Sequence, residues 1–308
     1  MSAPDLAYVA LAVEDPERIA AIFETDLGLT RHTRETASGP APVLSVGRSV
    51  LALFRPDDPF LGADAKKGVH HIAVTAADPE AAARTAGLRP IGRSSTGLNR
   101  KRQVEIDRNE TAGIRLRFTE PLDLPAGRTD IVEQIDHLGV ASADNGAIKR
   151  AFIDGLGCVY ESEQTDSEVE TVAETFVSDK YPEVRHERAS RLVGSMRVTF
   201  ITIGDCELEC LQDLTVDLSA DAARHDAAGN TRADRSAIAR FIDGRGAGLH
   251  HIALKTPDID AALGRLAAAG HRVIDRTGRP GSRRARIGFV HPSALGGVLL
   301  HFVEREEL

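Results

Sequence analysis

Histidines set inside apolar, alternating segments are the residues of this 308-residue chain with the clearest capacity for chemistry. Gly248-Leu249-His250-His251-Ile252-Ala253-Leu254 reads as a β-strand with two adjacent imidazoles, and Gly297-Val298-Leu299-Leu300-His301-Phe302-Val303 as a strand with one at its centre. Successive strand side chains point to opposite faces, so of His250 and His251 only one is expected to face a given pocket. Strand-borne imidazoles about fifty residues apart are able to converge across a curved sheet on one divalent ion. Between them, Asp258 caps a helix that runs to Leu266, with Gly270 just past its end.

Such strands need a scaffold, and the chain builds one by repetition. Leu6-Ala7-Tyr8-Val9-Ala10-Leu11-Ala12-Val13 is followed by Asp15-Pro16 and an amphipathic helix ending at Leu27-Gly28. Val69-His70-His71-Ile72-Ala73-Val74 leads to Asp78-Pro79, an alanine-rich helix and Gly87. Ile135-Asp136-His137-Leu138-Gly139-Val140-Ala141 leads to Asp144-Asn145, a helix from about Gly146 to Asp154, and Leu156-Gly157. The segment carrying His250 and His251 is the fourth copy. Each copy reads strand, Asp-capped helix, glycine stop and then several short strands. Copies two and four share the His-His doublet and the alanine-rich helix; copies one and three share a Leu-Gly helix end and a late glycine turn at Gly47 and Gly204. The duplicated unit is therefore a pair of modules. It predicts two domains, 1–125 and 131–308, with Pro121 to Asp130 at their junction. Asp213 to about Asp234 reads as a polar loop between modules three and four, and the charged stretch Glu161 to Arg191 as a lid or insertion near the mouth of a site.

Hydrophobic residues make up 42% and charged residues 27%, as in a globular protein, and the length suits two domains. A net charge of −8 argues against a nucleic-acid partner. The dense basic spots, Lys66-Lys67, Arg100-Lys101-Arg102 and Arg283-Arg284, read as solvated turns, the third alternatively as a contact for an anionic substrate. No apolar run reaches the ~18 residues that span a bilayer and the N-terminus lacks a signal-peptide core, so no membrane partner is expected. Cys158, Cys206 and Cys210 form no C-x-x-C motif, which points to a reducing compartment; the expected location is cytoplasmic.

A βαβββ unit repeated in pairs, with histidine on its first strand, resembles the vicinal oxygen chelate superfamily. That superfamily includes glyoxalase I, methylmalonyl-CoA epimerase, extradiol dioxygenases and the fosfomycin- and bleomycin-resistance proteins. The C-terminal half looks most similar to methylmalonyl-CoA epimerase. The similarity is carried by Ile135-Asp136-His137, Ser236-Ala237-Ile238-Ala239-Arg240-Phe241-Ile242, Gly248-Leu249-His250-His251-Ile252-Ala253, Asp258-Ile259-Asp260-Ala261, Phe289-Val290-His291-Pro292 and Gly296-Gly297-Val298-Leu299. The N-terminal half is similar at module level only. The resemblance implies an α+β fold of four βαβββ modules, forming two paired-module domains with curved, barrel-like mixed sheets. It further implies metal ligands on the first and last strands of each module in a pair. Carried over residue by residue, these are His137 and Glu209 in module three and His251 and His301 in module four, with Glu207 the competitor for Glu209. His301 stands where the epimerases and most relatives have glutamate. The same positions in the N-terminal pair are Tyr8, Leu53, His71 and Arg117, so that half is expected to hold no metal and to be structural or regulatory. Of the other histidines, His250 reads as structural, His291 as locally bonded or pocket-lining, and His32, His186, His225 and His271 as surface residues. Cys206 and Cys210, on the opposite strand face from Glu209, read as core.

Three imidazoles and a carboxylate suit one divalent ion (Zn, Fe, Co, Ni or Mn) with positions left for a chelating substrate. Such an ion polarises a carbonyl and stabilises an enolate-like intermediate. The resemblance thus implies an epimerase or isomerase acting on a 2-substituted acyl thioester, such as a CoA thioester, or on a 2-oxo compound. Glu209 would serve as ligand and, when released, as base. Two rivals remain open. An extradiol-type non-haem iron ring-cleaving dioxygenase fits the four-module length but not His301. A non-catalytic small-molecule (drug) binding protein predicts no stoichiometric metal. Whether modules pair within one chain or in a homodimer is left open by the sequence.

Overall fold

One local device is used four times along the chain. Asp15, Asp78, Asp144 and Asp258 have extended backbones, and their carboxylates accept hydrogen bonds from backbone N–H groups of Arg18, of Glu80 and Ala81, of Ala147, and of Ala261. These satisfy donors that the first helical turn leaves without partners. The capped helices are α1 (Pro16–Thr25), α2 (Pro79–Thr85), α3 (Asn145–Lys149, continued by a π-helical turn over Arg150–Gly155) and, after α4 (Asn230–Arg245), α5 (Ile259–Ala268). Gly28, Gly87, Gly157 and Gly270 follow them at φ between +69° and +86°, a conformation that disfavours any residue with a Cβ. The computed structural model describes residues 4–215 and 230–305.

Strands β1 (Leu6–Ala12), β2 (Arg31–Thr36), β3 (Gly39–Val46), β4 (Ser49–Phe54), β5 (Gly68–Thr75), β6 (Ser95–Thr96), β7 (Arg102–Glu105) and β8 (Leu116–Thr119) make one eight-stranded sheet, ordered β2-β3-β4-β1-β5-β8-β7-β6. The later strands are β9 (Gln134–Ser142), β10 (Val159–Glu170), β11 (Ala173–Ser178), β12 (Tyr181–Glu187), β13 (Arg191–Ile203), β14 (Cys206–Asp213), β15 (Gly248–Lys255), β16 (Arg279–Pro280), β17 (Arg286–Val290) and β18 (Leu300–Glu304). All but β11 and β12 form a second sheet, ordered β10-β13-β14-β9-β15-β18-β17-β16. The two orders are the same permutation. At each centre an antiparallel pair, β1–β5 or β9–β15, joins two modules, and each first strand runs parallel to its own module's last strand. Both sheets curl into half-barrels, the α+β fold of paired βαβββ modules that the repeat predicts.

Alternation divides every central strand between two environments. Val9, Leu11, Leu138, Val140, Ile252, Leu254, Leu300 and Phe302 meet Ile19, Phe23, Phe152 and Leu263 of the helices in one apolar cluster that runs through both halves. The residues between them face the inside of each half-barrel. Glycines let the halves approach at a seam: a Cβ on Gly113 would lie 2.3 Å from the Ala247 carbonyl oxygen, and one on Gly297 would lie 2.6 Å from the Lys67 side chain. His271, expected at the surface, reaches across the halves to Asp26 at 2.7 Å.

The stretch Glu161 to Arg191 holds most of β10 and the β11–β12 hairpin, and β10 pairs with the β13 that follows in a long antiparallel ribbon. Its outer part exposes Phe176 and Val177. Of the polar loop expected from Asp213 to about Asp234, residues 216–229 lie outside the described residues, as does His225. Its end differs from expectation, since α4 already starts at Asn230.

Gly113→Ala combines overpacking against a backbone oxygen with a left-handed φ of +96°, and is expected to cost on the order of 3 kcal/mol in denaturant melts. Gly87→Ala, whose Cβ would meet nothing within 4 Å, should cost only about 1 kcal/mol.

Candidate metal centre

Register decides which side chains meet inside the second half-barrel. His137 on β9 is opposite Ala253 on β15, which is in turn opposite His301 on β18. Gly139, two residues along β9, lies between Glu209 on β14 and His251 on β15. Four side chains from four neighbouring strands thus crowd around small residues. A Cβ on Gly139 would stand 1.9 Å from His251 Cε1, so glycine is what leaves room for that ring.

His137, His251 and His301 are buried, and each presents a nitrogen within 4.8 Å of the others. Oε2 of Glu209 lies 3.2 Å from His137 Nε2 and 3.5 Å from His251 Nε2. These are ion-pair distances without hydrogen-bond alignment, and Nε2 of His137, Nε2 of His251 and both nitrogens of His301 have no hydrogen-bond partner. Each buried polar atom left in that state costs about 1–3 kcal/mol. Four together call for a shared occupant, and a divalent cation matches imidazole nitrogen and carboxylate oxygen donors.

The rings are aimed from behind. Nδ1 of His137 is 2.7 Å from Asp136 Oδ1, and Asp136 also accepts from Arg305 Nε at 2.9 Å and Nη2 at 2.7 Å. Nδ1 of His251 is 3.0 Å from Nδ1 of His250, whose ring packs edge-on against Phe241. Both contacts occupy the nitrogen turned away from the cluster and leave Nε2 turned toward it, the arrangement that orients imidazole ligands. Burial alone would push His137 down, but the charges of Glu209 and Asp136 reverse this and raise it to about 9. Burial would raise the Glu209 carboxyl, yet His137 and His251 hold it well below the usual range. Burial, then the rings of His251 and His137, keep His301 neutral.

A cavity of about 500 Å³ opens over the cluster, with Met196, Leu211, Ile238, Ile287 and Phe289 as apolar walls. Its arginines are matched by carboxylates: Arg279 by Asp275, Arg283 by Glu161 and Glu207, and Arg305 by Asp136. Arg283, read from the sequence as a solvated turn residue or an anion contact, is instead tied into this network and stacked 3.7 Å over the Phe200 ring. The same pairing separates the two glutamates, since Glu207 is taken by Arg283 while Glu209 meets the histidines.

Several other residues differ from expectation or extend it. His250 does not face away from the site. A register shift between Leu249 and His251 makes it a bulge residue, so alternation fails there and its ring stays beside His251 and lines the cavity. The first half-barrel repeats this bulge at His70, whose Nδ1 lies 2.8 Å from that of His71. There Tyr8, His71 and Arg117 occupy the places of His137, His251 and His301, but the counterpart of Glu209 is Ala52, not Leu53. Leu53 is one residue out of register and therefore points into the helix-side core. Arg117 donates to the Phe60 carbonyl at 2.9 Å and to Glu105 at 3.1 Å, and Phe60, Leu61 and Phe54 fill the inside. Cys206 and Cys210 lie in the core, His32 bonds Ser45, His186 is exposed, and His291 caps the turn at Ser293. Asp136, Arg305 and Gly139 escaped the sequence reading; the one available signal was an aspartate directly before a strand histidine.

Residues 136–289, half of the chain, match the family model described as the Glyoxalase/Bleomycin resistance protein/Dioxygenase superfamily. The chain is 36% identical over 73 residues to the mitochondrial methylmalonyl-CoA epimerase of Dictyostelium discoideum, which is 23% of this chain and 44% of that protein. It is 28% identical over 109 residues to the uncharacterized protein YqjC of Bacillus subtilis, 35% of this chain and 65% of that one. The chain therefore spans less than two thirds of either relative. A variant of 4-hydroxymandelate synthase from Streptomyces coelicolor shares the fold over 99% of this chain and 94% of its own, with a TM-score of 0.61 and 16% identity.

In the metal-free protein folded His137 holds its proton to about pH 9, against an ordinary value of 6.5. The stability it contributes is complete below pH 6.5 and is lost as the pH rises through 9. Glu209→Gln is expected to lower the His137 midpoint in an NMR titration and to flatten this loss in denaturant melts.

Proposed function

Because the chain belongs to the Glyoxalase/Bleomycin resistance protein/Dioxygenase superfamily, we propose that it is a metal-dependent epimerase or isomerase acting on a 2-substituted acyl thioester or a 2-oxo compound. One observation carries the reading: three imidazoles without hydrogen-bond partners on their inward nitrogens converge with Glu209 beneath an apolar-walled cavity. The local identity to an epimerase supports it. In this reading 131–308 is the catalytic domain and 1–125 its scaffold.

His137, His251 and His301, with Glu209, would hold one Zn, Fe, Co, Ni or Mn ion. When bound, that ion supplies Lewis-acid polarisation of a substrate carbonyl. The chain's own residues do the rest. Arg305 and Asp136 fix His137, and His250 fixes His251, so neither ring turns away when substrate enters. Glu209, when released from the ion, would be the base that takes the proton next to the carbonyl and returns it. Met196, Leu211, Ile238 and Phe289 keep water from competing for that proton.

A second reading, an extradiol-type non-haem iron ring-cleaving dioxygenase, is favoured by the four-module length and by the dioxygenases included in the family description. The deciding assay incubates purified protein with methylmalonyl-CoA or simple 2-oxo acids in deuterated water. Deuterium is expected at the carbon next to the carbonyl, and Glu209→Gln should slow exchange about 10²–10⁴-fold. Oxygen uptake with a catechol, and no exchange with the thioester or oxo acids, would install the dioxygenase in its place.

Elemental analysis should find one equivalent of metal, lost in His251→Ala and in His301→Ala. Asp136→Asn is expected to weaken metal affinity about 10–100-fold. Undiminished metal in both histidine variants would remove the proposed centre, and a metal-free protein that still binds small molecules would leave a binding role alone.

A further inference from the structure

A second cavity, of about 390 Å³, lies at the seam of the two halves, away from the histidine cluster in composition and in charge. Lys66, His70, Arg108 and Arg115 line it from the first half, and Phe241 and Arg245 from the second. Asp64 is the lone carboxylate among its lining residues. The arginines over the histidine cluster are each matched by an acid, but among the described residues Arg108 and Arg115 have no ion pair and no side-chain hydrogen bond. Lys66 Nζ donates to the Gly244 carbonyl at 3.0 Å and Arg245 Nη1 to the Lys67 carbonyl at 2.6 Å, contacts that place both cations at the rim without neutralising either.

His70 adds an independent sign of a ligand. It is 7% exposed, its Nδ1 is engaged by His71, and its Nε2 is buried without a partner in the wall of this cavity. Burial, then the charge of Arg108, push the Arg115 guanidinium down from its ordinary value, against a smaller opposing pull from Glu105, which does not line the cavity. Four cations facing one carboxylate in a recess repel one another unless an anion sits among them. Guanidinium forks recognise tetrahedral oxyanions by paired N–H bonds, and an ammonium adds a point charge.

We propose that this seam is a binding site for phosphate, as the free ion or as the monoester group of a small metabolite. Arg108 and Arg115 grip the oxyanion, Lys66 and Arg245 complete the charge, and His70 Nε2 bonds a phosphate oxygen or hydroxyl according to its tautomer. Since the site draws on both halves, its occupant ties them together. The site is independent of the proposed metal chemistry and stands or falls separately.

Isothermal titration calorimetry and thermal melts of the full chain, with inorganic phosphate and with glycerol phosphate at ionic strength matched by chloride, test this. One saturable site per chain and a raised midpoint are expected with at least one of them; preference for the ester identifies a metabolite, preference for the ion free phosphate. Arg115→Gln should weaken binding at least tenfold with metal content unchanged. Arg108→Gln, at a half-buried residue with no ion-pair partner, should do the same if Arg115→Gln does not fold, and Arg108→Lys should restore part of the affinity. A midpoint that responds equally to chloride, or phosphate binding undiminished in the glutamine variants, would overturn the site.

Discussion

The arrangement around the histidine cluster depends on one missing side chain. Gly139 faces the inside of the second half-barrel between Glu209 and His251, and no other residue would let the His251 ring lie across β9. Once that ring is in place, the alternation of β9, β15 and β18 brings His137 and His301 beside it. The rest of the half-barrel answers the cost of this concentration of polar atoms. Asp136 and Arg305 on one side and His250 on the other occupy the outward nitrogens of His137 and His251, so the unpartnered nitrogen of each of these two rings is the one that faces the cluster.

The first half-barrel shows what the same scaffold does when its inward polar side chains bond to one another. It has the same strand order, the same Asp caps and the same histidine bulge. Yet Ala10 and Ala52 stand where Gly139 and Glu209 do, and the ring of Tyr8 lies 3.1 Å from His71 Nε2 through its hydroxyl. Phe60 and Arg117 then close the interior by stacking at 4.9 Å. One copy is a packed core and the other an open cavity with apolar walls over a polar floor; the difference rests on a handful of inward positions and not on topology.

Much of this was legible in the chain itself, for physical reasons. Asp15, Asp78, Asp144 and Asp258 announce helix starts because a cap is a local interaction, and Gly28, Gly87, Gly157 and Gly270 announce the stops because a left-handed φ is a local requirement. Their spacing reveals the repeat, and the repeat puts His137 and His251 on equivalent first strands and Glu209 and His301 on equivalent last strands. What escaped depends on register and on distant pairing. A bulge adds one residue without any composition signal, so alternation alone puts His250 on the wrong face. A slip of one residue turned Ala52 into Leu53. Arg283 looked like a free cation because its acids, Glu161 and Glu207, lie far away in sequence. Arg305 could not be matched to Asp136 before the strands were placed.

His137 and Glu209 belong to the third module, while His251 and His301 belong to the fourth. Neither module by itself owns enough donors to capture an ion tightly. An ion held there, as proposed, would require β9 and β15 to be paired, and its binding free energy would add to that docking event rather than to either piece. If the proposed centre takes up its cation, uptake would wait until the whole second half of the chain has been made.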